Sequence, residues 1–434
     1  MSLGVVALIG SPNVGKSTLF NRIVGKREAI VANTPGITRD RLYQKASWLT
    51  REFYVIDTGG IELKNRPFQE QIRLQAQIAI DEADLIVFVV DAKMGLTGDD
   101  KFVSNILFKA KKPIILAVNK IDNIESIDEA SEFYALGLGD PLAISCEHGI
   151  GVGDLLDKIV KMLPKRDDID YKDAITFSII GRPNVGKSTL LNSLVGTSRA
   201  IVSNIEGTTR DATDTPFIHN DKKFVAIDTA GLKKRGKILE SIDKYSSLRT
   251  LRAIERSNIA LFLIDASVGI LEQDKHVVGY AHDLNKAIIF IVNKWDIKKK
   301  GLNANEFIKE IRNEFKFIDY VNILFVSALN KSNIDKIFNE IEATHESYNK
   351  RVKTSVLNEI IQNAVLMNEA PDFNGGRLKV YYAEQIHVSP PSFVLFCNNP
   401  SFAHFSYIRY LENQIRGTFS FVNVPLNLTF RRKM

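Results

Sequence analysis

Leu8-Ile9-Gly10-Ser11-Pro12-Asn13-Val14-Gly15-Lys16-Ser17-Thr18-Leu19 decides the fold of the N-terminal part of the chain. An apolar run rich in β-branched residues stops at a glycine, and a Gly-x-x-x-x-Gly-Lys-Ser string follows. Such a string, set between a strand and a helix, is a phosphate loop. Its glycines let backbone N–H groups wrap phosphates, and the helix behind presents its positive end to them. Lys16 is expected to neutralise the β and γ phosphates, and Ser17 to ligate Mg²⁺. About one chain in a hundred of this length carries the string by chance. Here it occurs twice, the second time as Gly181-Arg182-Pro183-Asn184-Val185-Gly186-Lys187-Ser188-Thr189-Leu190, with Lys187 and Ser188 in the same two roles.

The second copy is part of a longer repeat. Gly36-Ile37-Thr38-Arg39-Asp40 returns as Gly207-Thr208-Thr209-Arg210-Asp211, and Asp57-Thr58-Gly59-Gly60 as Asp228-Thr229-Ala230-Gly231. Asn119-Lys120-Ile121-Asp122 returns as Asn293-Lys294-Trp295-Asp296. Gly181 follows Gly10 by 171 positions, Asp228 follows Asp57 by 171, and Asn293 follows Asn119 by 174. Four blocks in one order at nearly constant offset mean a duplicated domain. The first domain is expected over 1–164, a charged linker over 165–173 and the second domain over 174–345. A third domain, 346–434, carries no trace of the repeat.

Leu3–Ile9, Phe53–Ile56, Leu85–Val90 and Ile114–Val118 read as strands, and Gln69–Glu82 and Gly153–Leu163 as helices. Alternating strands and helices predict an α/β fold: a mostly parallel sheet with helices on both faces. Ligands of such sheets bind beyond the carboxyl ends of the strands, where the repeated motifs fall.

Asp57 and Asp228 are placed to hold a Mg²⁺ water. The backbone N–H groups of Gly60 and Gly231, after Thr58-Gly59 and Thr229-Ala230, are placed to reach a γ-phosphate. Asn-Lys-x-Asp selects the base. A carboxylate accepts two hydrogen bonds, and guanine offers two adjacent donors, whereas adenine offers an acceptor at the matching position. A wrong base leaves buried polar groups unpaired. Asn119, Lys120 and Asp122, with Asn293, Lys294 and Asp296, therefore point to guanine. Ser145 and Ser327 are expected to complete the base pockets, with the N–H groups of Cys146 and Ala328 facing the guanine oxygen.

The 434 residues are 45% hydrophobic and 25% charged, with a net charge of +6. No stretch is apolar enough to span a bilayer. The apolar N-terminus lacks a basic leader and reads as a strand rather than a signal peptide. Two cysteines, Cys146 and Cys397, are too few for a disulfide framework and fit a reducing cytoplasm. From Thr344 onward 10 Lys/Arg face 6 Asp/Glu. That excess fits a polyanionic partner and fits a solubilising surface equally well.

On these motifs the whole chain resembles the Der family, also called EngA, bacterial GTPases with two consecutive G domains. The resemblance implies GTP/GDP and Mg²⁺ as ligands, GTP hydrolysis, a cytoplasmic location and a role in assembling the large ribosomal subunit. It also implies a final domain similar to a KH module. Thr38 and Thr209 fall in the first switch and would close on Mg²⁺ and the γ-phosphate. Lys16, Lys187, Thr38 and Thr209 are the residues expected to carry catalysis. Where Ras-like enzymes place a water-orienting glutamine, this chain has Ile61 and Leu232, so slow basal turnover is expected. Asn13 and Asn184 match a position that holds K⁺ in similar GTPases, the alternative being support of the loop turn. Arg39 and Arg210 precede aspartates and read as local pairs, the alternative being internal arginine fingers. The basic run Lys233-Lys234-Arg235-Gly236-Lys237 is a solvated loop or an RNA contact.

In the last domain Thr354–Asn368 and Ala403–Gly417 read as helices, and Leu378–Ala383, Phe393–Cys397 and Leu426–Phe430 as strands. This order is compatible with a KH-like α+β module, yet the Gly-x-x-Gly loop that clamps RNA in KH domains is absent. Phe402, Phe405, Tyr407 and Tyr410, at helical spacing, are expected in its core, the alternative being that they stack on bases. The partner expected is the large ribosomal subunit and its rRNA, with no membrane and a monomeric chain. A GTPase acting on tRNA or another RNA–protein target is the alternative.

Overall fold

Strands buried on both sides need apolar residues at every position. Leu85–Asp91, Ile259–Asp265 and Ala287–Asn293 are of this kind, and all seven positions of each are buried. The computed structural model describes residues 3–25, 43–58, 73, 76–77, 79–110, 112–164, 171, 174–197, 214–229, 246–298, 301 and 303–433. It divides into two compact units, residues 1–168 with 244–248, and residues 169–243 with 249–434.

The first unit contains β1 (Gly4–Ile9), α1 (Lys16–Val24), β2 (Tyr43–Trp48), β3 (Arg51–Asp57), β4 (Leu85–Asp91), α2 (Gly98–Phe108), β5 (Ile114–Asn119), β6 (Leu142–Ala143) and α3 (Val152–Met162). Its six-stranded sheet runs β2-β3-β1-β4-β5-β6. All neighbours are parallel except β2 and β3. That antiparallel edge strand is not among the sequence expectations, because its Tyr-Gln-Lys-Ala-Ser-Trp is only partly apolar. The expected helix over 69–82 is helical at its described positions 73, 76, 77 and 79–82.

Residues 174–348 repeat this order with β7 (Ala174–Ile180), α4 (Lys187–Gly196), β8 (Thr215–His219), β9 (Lys222–Ala226), α5 (Ser246–Arg256), β10 (Ile259–Asp265), α6 (Glu272–Asp283), β11 (Ala287–Asn293), α7 (Ala304–Glu314), β12 (Ile323–Phe325) and α8 (Ile334–Tyr348). Their sheet, β12-β11-β10-β7-β9-β8, is the first one read from the other edge. In both sheets the phosphate loop leaves the central strand where neighbours diverge to either side, the switch point at which α/β sheets bind ligands. Among the described residues no helix is long and apolar enough to cross a membrane.

The last domain holds α9 (Thr354–Met367), β13 (Asp372–Phe373), β14 (Gly376–Arg377), β15 (Val380–Val388), β16 (Pro391–Cys397), α10 (Phe405–Phe419) and β17 (Asn427–Arg432). β15-β16-β17 form a mixed sheet, antiparallel then parallel. Tyr407 is buried, whereas Phe405 is 76% exposed. That corrects the expectation that Phe405 is a core residue: at the first position of α10 its side chain lies beyond the covered stripe.

The second G domain and the last domain share one continuous core. Phe338, Ile341 and Tyr348 of α8 join Leu357, Ile361, Phe393 and Phe421. Asn423 fixes the join. It is fully buried and its backbone is left-handed, φ 59°. Its Oδ1 accepts from the Asn322 N–H at 2.6 Å, and its Nδ2 donates to Glu340 at 2.6 Å and to Thr344 Oγ1 at 2.8 Å. Its carbonyl accepts from the Ile288 N–H at 3.0 Å. Ala at this position would remove the partner of the Asn322 N–H and of the fully buried Thr344 hydroxyl, each at roughly 1–3 kcal/mol, while Glu340 keeps Asn322 Nδ2. Asn423→Ala is therefore expected to lower the stability of the second unit by about 2–4 kcal/mol. Denaturant unfolding followed by Trp295 fluorescence in a Trp48→Phe background checks this, and a loss below about 1 kcal/mol would refute it.

Candidate functional site

The phosphate loops need backbone angles that side chains resist. Gly15 and Gly186 both sit at φ 100°. A Cβ on Gly15 would lie 2.2 Å from Asn119 Nδ2, and one on Gly186 would lie 2.3 Å from Asn293 Nδ2. Asn13 and Asn184 are also left-handed, φ 65° and 62°, a conformation asparagine tolerates better than most residues.

Lys16 folds back over its own loop, donating to the carbonyls of Gly10 and Ser11, both at 2.8 Å. Burial pulls its pKa down, and the nearby Asp57 carboxylate opposes that shift. Lys187 makes the same two contacts, to Gly181 at 2.6 Å and Arg182 at 2.5 Å. Ser17 Oγ donates to Asp57 Oδ2 at 2.8 Å. A hydroxyl and a carboxylate side by side are the hard oxygen donors that suit Mg²⁺.

Asn119 and Asn293 carry the strongest tertiary constraint. Asn119 Nδ2 donates to the Val14 carbonyl at 2.7 Å, and its Oδ1 accepts from the Cys146 N–H at 2.8 Å. In the second copy Asn293 Nδ2 donates to Val185 at 2.9 Å, and its Oδ1 accepts from the Ala328 N–H at 3.0 Å. Cys146 and Ala328 thus sit at the base loops beside the asparagines. Their N–H groups tie the base loop to the asparagine, whose buried Oδ1 would be costly to leave unpaired. Burial also pushes the Cys146 thiol up to about 12, so it remains a thiol.

Lys120 pairs with Asp91, and Lys294 with Asp265 at 2.6 Å. Lys294 also donates to the Asn184 carbonyl at 2.8 Å. Asp91 and Asp265, at the ends of β4 and β10, were not among the residues expected from the motifs. Their signal was present, since Asp91-Ala92 recurs as Asp265-Ala266 in step with the Asn-Lys-x-Asp repeat. Asp122 accepts from Ser145 Oγ at 2.8 Å and from Lys93 at 2.6 Å. The Lys93 contact, then that of Ser145, holds its carboxyl below the usual range. Asp296 is exposed, and the position matching Lys93 is Ser267, which donates to Asp265 at 2.6 Å.

Thr58 and Thr229 sit among the nucleotide motifs, but their hydroxyls face inward. Thr58 Oγ1 donates to the Leu8 carbonyl at 2.6 Å, and Thr229 Oγ1 lies 2.7 Å from Thr215 Oγ1. These side chains hold strands together. The loops also differ at their second residue. Ser11 Oγ lies 3.4 Å from Asp100, whereas Arg182 donates to the fully buried Asp274 at 2.9 Å and to the Gly269 carbonyl at 2.7 Å. Burial raises the pKa of Asp274, opposed by the Leu271 N–H and by Arg182. Thr38, Gly59, Gly60, Thr209, Ala230 and Gly231 lie outside the described residues, as do Arg39, Arg210, Ile61, Leu232 and the basic run 233–237.

Residues 5–120 and 176–294 match the family described as 50S ribosome-binding GTPase. Residues 351–431 match the KH-domain-like C-terminal part of EngA bacterial GTPase enzymes. Over the full length of both chains, the protein is 52% identical to GTPase Der of Staphylococcus saprophyticus subsp. saprophyticus, 53% to that of Staphylococcus carnosus and 52% to that of Staphylococcus aureus. The chain belongs to the Der (EngA) family. It is thus a GTP-binding GTPase with two tandem P-loop domains and a KH-like domain. In a Der-family chain with two such loops, Gly15→Ala combines a backbone clash with a strained φ. It is expected to weaken GDP binding at the first site by more than about tenfold. Titration with fluorescent GDP near its Kd should then count one site per chain instead of two, and an unchanged count would contradict the geometry.

Proposed function

We propose that the chain is a nucleotide-gated factor in maturation of the large ribosomal subunit, acting as a monomer in the cytoplasm. The observation that carries this reading is the pairing of two phosphate-loop domains with a basic C-terminal domain that shares the core of the second of them. The family description as ribosome-binding supports it as well.

In each site the loop residues from Gly10 to Thr18, or from Gly181 to Thr189, would take the phosphates. Lys16 and Lys187 would place positive charge at the β and γ groups, where negative charge builds during hydrolysis. Mg²⁺ would be held by Ser17 and Asp57, and by Ser188 and Asp228, leaving water and phosphate oxygens to fill its octahedron. Thr38 and Thr209 would join that shell when the γ-phosphate is present. Asp122 and Asp296 would read the guanine, with Asn119, Lys120 and Ser145, or Asn293, Lys294 and Ser327, shaping the pocket.

Co-sedimentation with ribosomal subunits tests the reading, using GDP and a non-hydrolysable GTP analogue at controlled salt. Binding to the large subunit with the analogue and not with GDP is expected. Lys16→Ala and Lys187→Ala, made separately, should each weaken that binding or leave it, and so assign the gate to a copy. Absence of binding in both states at low salt would overturn the ribosomal role.

Hydrolysis is proposed to be stimulated by K⁺ through Asn13, Asn184 or both. The left-handed backbone at these positions is by itself a sufficient reason for asparagine. The ion reading therefore stands on the resemblance, and rates decide it. Turnover several-fold faster in K⁺ than in Na⁺ at equal ionic strength is expected, and equal rates would remove the ion.

A further inference from the structure

Asp91-Ala92-Lys93-Met94-Gly95-Leu96-Thr97-Gly98-Asp99-Asp100-Lys101 recurs as Asp265-Ala266-Ser267-Val268-Gly269-Ile270-Leu271-Glu272-Gln273-Asp274-Lys275, so Gly95 matches Gly269 and Asp100 matches Asp274. In the second copy these two groups hold a cation. Arg182 Nε donates to Asp274 Oδ1 at 2.9 Å and Nη2 to the Gly269 carbonyl at 2.7 Å, and only 10% of the arginine side chain is exposed. In the first copy the position of Arg182 is taken by Ser11. Its hydroxyl stays 3.4 Å from Asp100 Oδ1, at the outer limit of a hydrogen bond, and brings no charge.

Where the second copy has a guanidinium, the first has a hole. A cavity of about 190 Å³ opens between the phosphate loop and the start of α2, with Ser11, Gly95 and Asp100 on its wall. Asp100 is 2% exposed. Its Oδ2 accepts from the Thr97 N–H at 3.1 Å and the Thr97 hydroxyl at 2.6 Å, as Asp274 Oδ2 accepts from the Leu271 N–H at 2.9 Å. Its Oδ1, the counterpart of the atom that Arg182 binds, has the distant Ser11 hydroxyl. Asp99 also lines the cavity, and Asp91 on its wall is paired with Lys120. Among the described residues no lysine or arginine lines it.

A buried carboxylate oxygen without a close donor is costly, and a bound donor relieves that cost. Two acceptors met by two nitrogens of one planar group is the geometry of a guanidinium, which a compact ammonium does not reproduce. A metal ion would need more ligands. Among the described residues no group of three His, Cys, Asp or Glu side chains is placed to hold one. We propose that this cavity binds a guanidinium group on a short alkyl stem, held by the Asp100 carboxylate and the Gly95 carbonyl. The occupant takes, between the first phosphate loop and α2, the place that the Arg182 side chain fills between the second loop and α6. Its stem lies against Pro12 and Met94, the apolar part of the wall.

The probe is n-propylguanidinium chloride, added to the full chain with GDP and Mg²⁺ at fixed ionic strength and followed by saturation-transfer NMR. Saturable binding with a Kd on the order of a millimolar is expected for a ligand of so few atoms. Ser11→Arg supplies the guanidinium from the loop itself, so it should remove this binding and melt no lower than wild type. Ser11→Met, filling the space without a charge, should remove it too, and serves if Ser11→Arg does not fold. Adding Arg182→Ser to Ser11→Arg opens the matching space in the second copy and should restore binding. n-Propylammonium should bind at least about tenfold more weakly. The site is overturned by absence of saturable binding to wild type, by equal binding to folded Ser11→Arg or Ser11→Met, by a folded double variant that does not bind, or by equal binding of the ammonium. Acetyl-Gly-Arg-Gly-amide binding as tightly as n-propylguanidinium would uphold the site with an arginine of a partner protein as its occupant. Binding of the free alkylguanidinium alone would uphold it with a small metabolite.

Discussion

Asn119 and Asn293 each use both ends of a buried amide on backbone groups, and the rest of each site is arranged around that use. The donor end fixes the phosphate loop at Val14 or Val185, and the acceptor end fixes the base loop at Cys146 or Ala328. Two segments that would hold opposite ends of a nucleotide are thus set at one distance by a single planar group. In a dry interior neither end is free to exchange its partner for water, so the cost of a misfit is the full desolvation penalty of an amide. The glycine before each lysine follows from this, because the asparagine occupies the space a Cβ would need.

Duplication preserved this frame and let its surroundings diverge. The first copy holds Asp122 with Lys93, while the second has Ser267 at the matching position and leaves Asp296 exposed. The second copy braces its phosphate loop through Arg182 to a fully buried aspartate, where the first has Ser11 near Asp100 at 3.4 Å. A buried guanidinium–carboxylate pair with further hydrogen bonds restricts a loop more than a long hydroxyl contact does. The two sites therefore differ in how their loops are held even where their motifs read alike.

The second copy also differs in what it is attached to. Its helix α8 continues into the core of the KH-like domain, and Asn423 closes the gap beside β11 and β12 with hydrogen bonds to both secondary structure and loop. Helix α8 runs on to Tyr348, past the boundary expected at 345. Composition changes there, but an apolar stripe that buries against two domains at once gives no local sign of belonging to both.

The sequence by itself determined the duplicated α/β architecture, the phosphate loops and the guanine-selecting motif. Each of these is local: a loop whose angles demand glycine, a strand whose every position is apolar, or a short run of donors and acceptors. Tertiary structure decided which groups meet. The pairing of Lys120 with Asp91, the inward turn of Thr58 and Thr229, and the use of the Cys146 and Ala328 N–H groups all depend on chain segments far apart in order. Periodicity records which face a residue prefers, whereas register, burial and partner are properties of two segments together, and no single segment contains them.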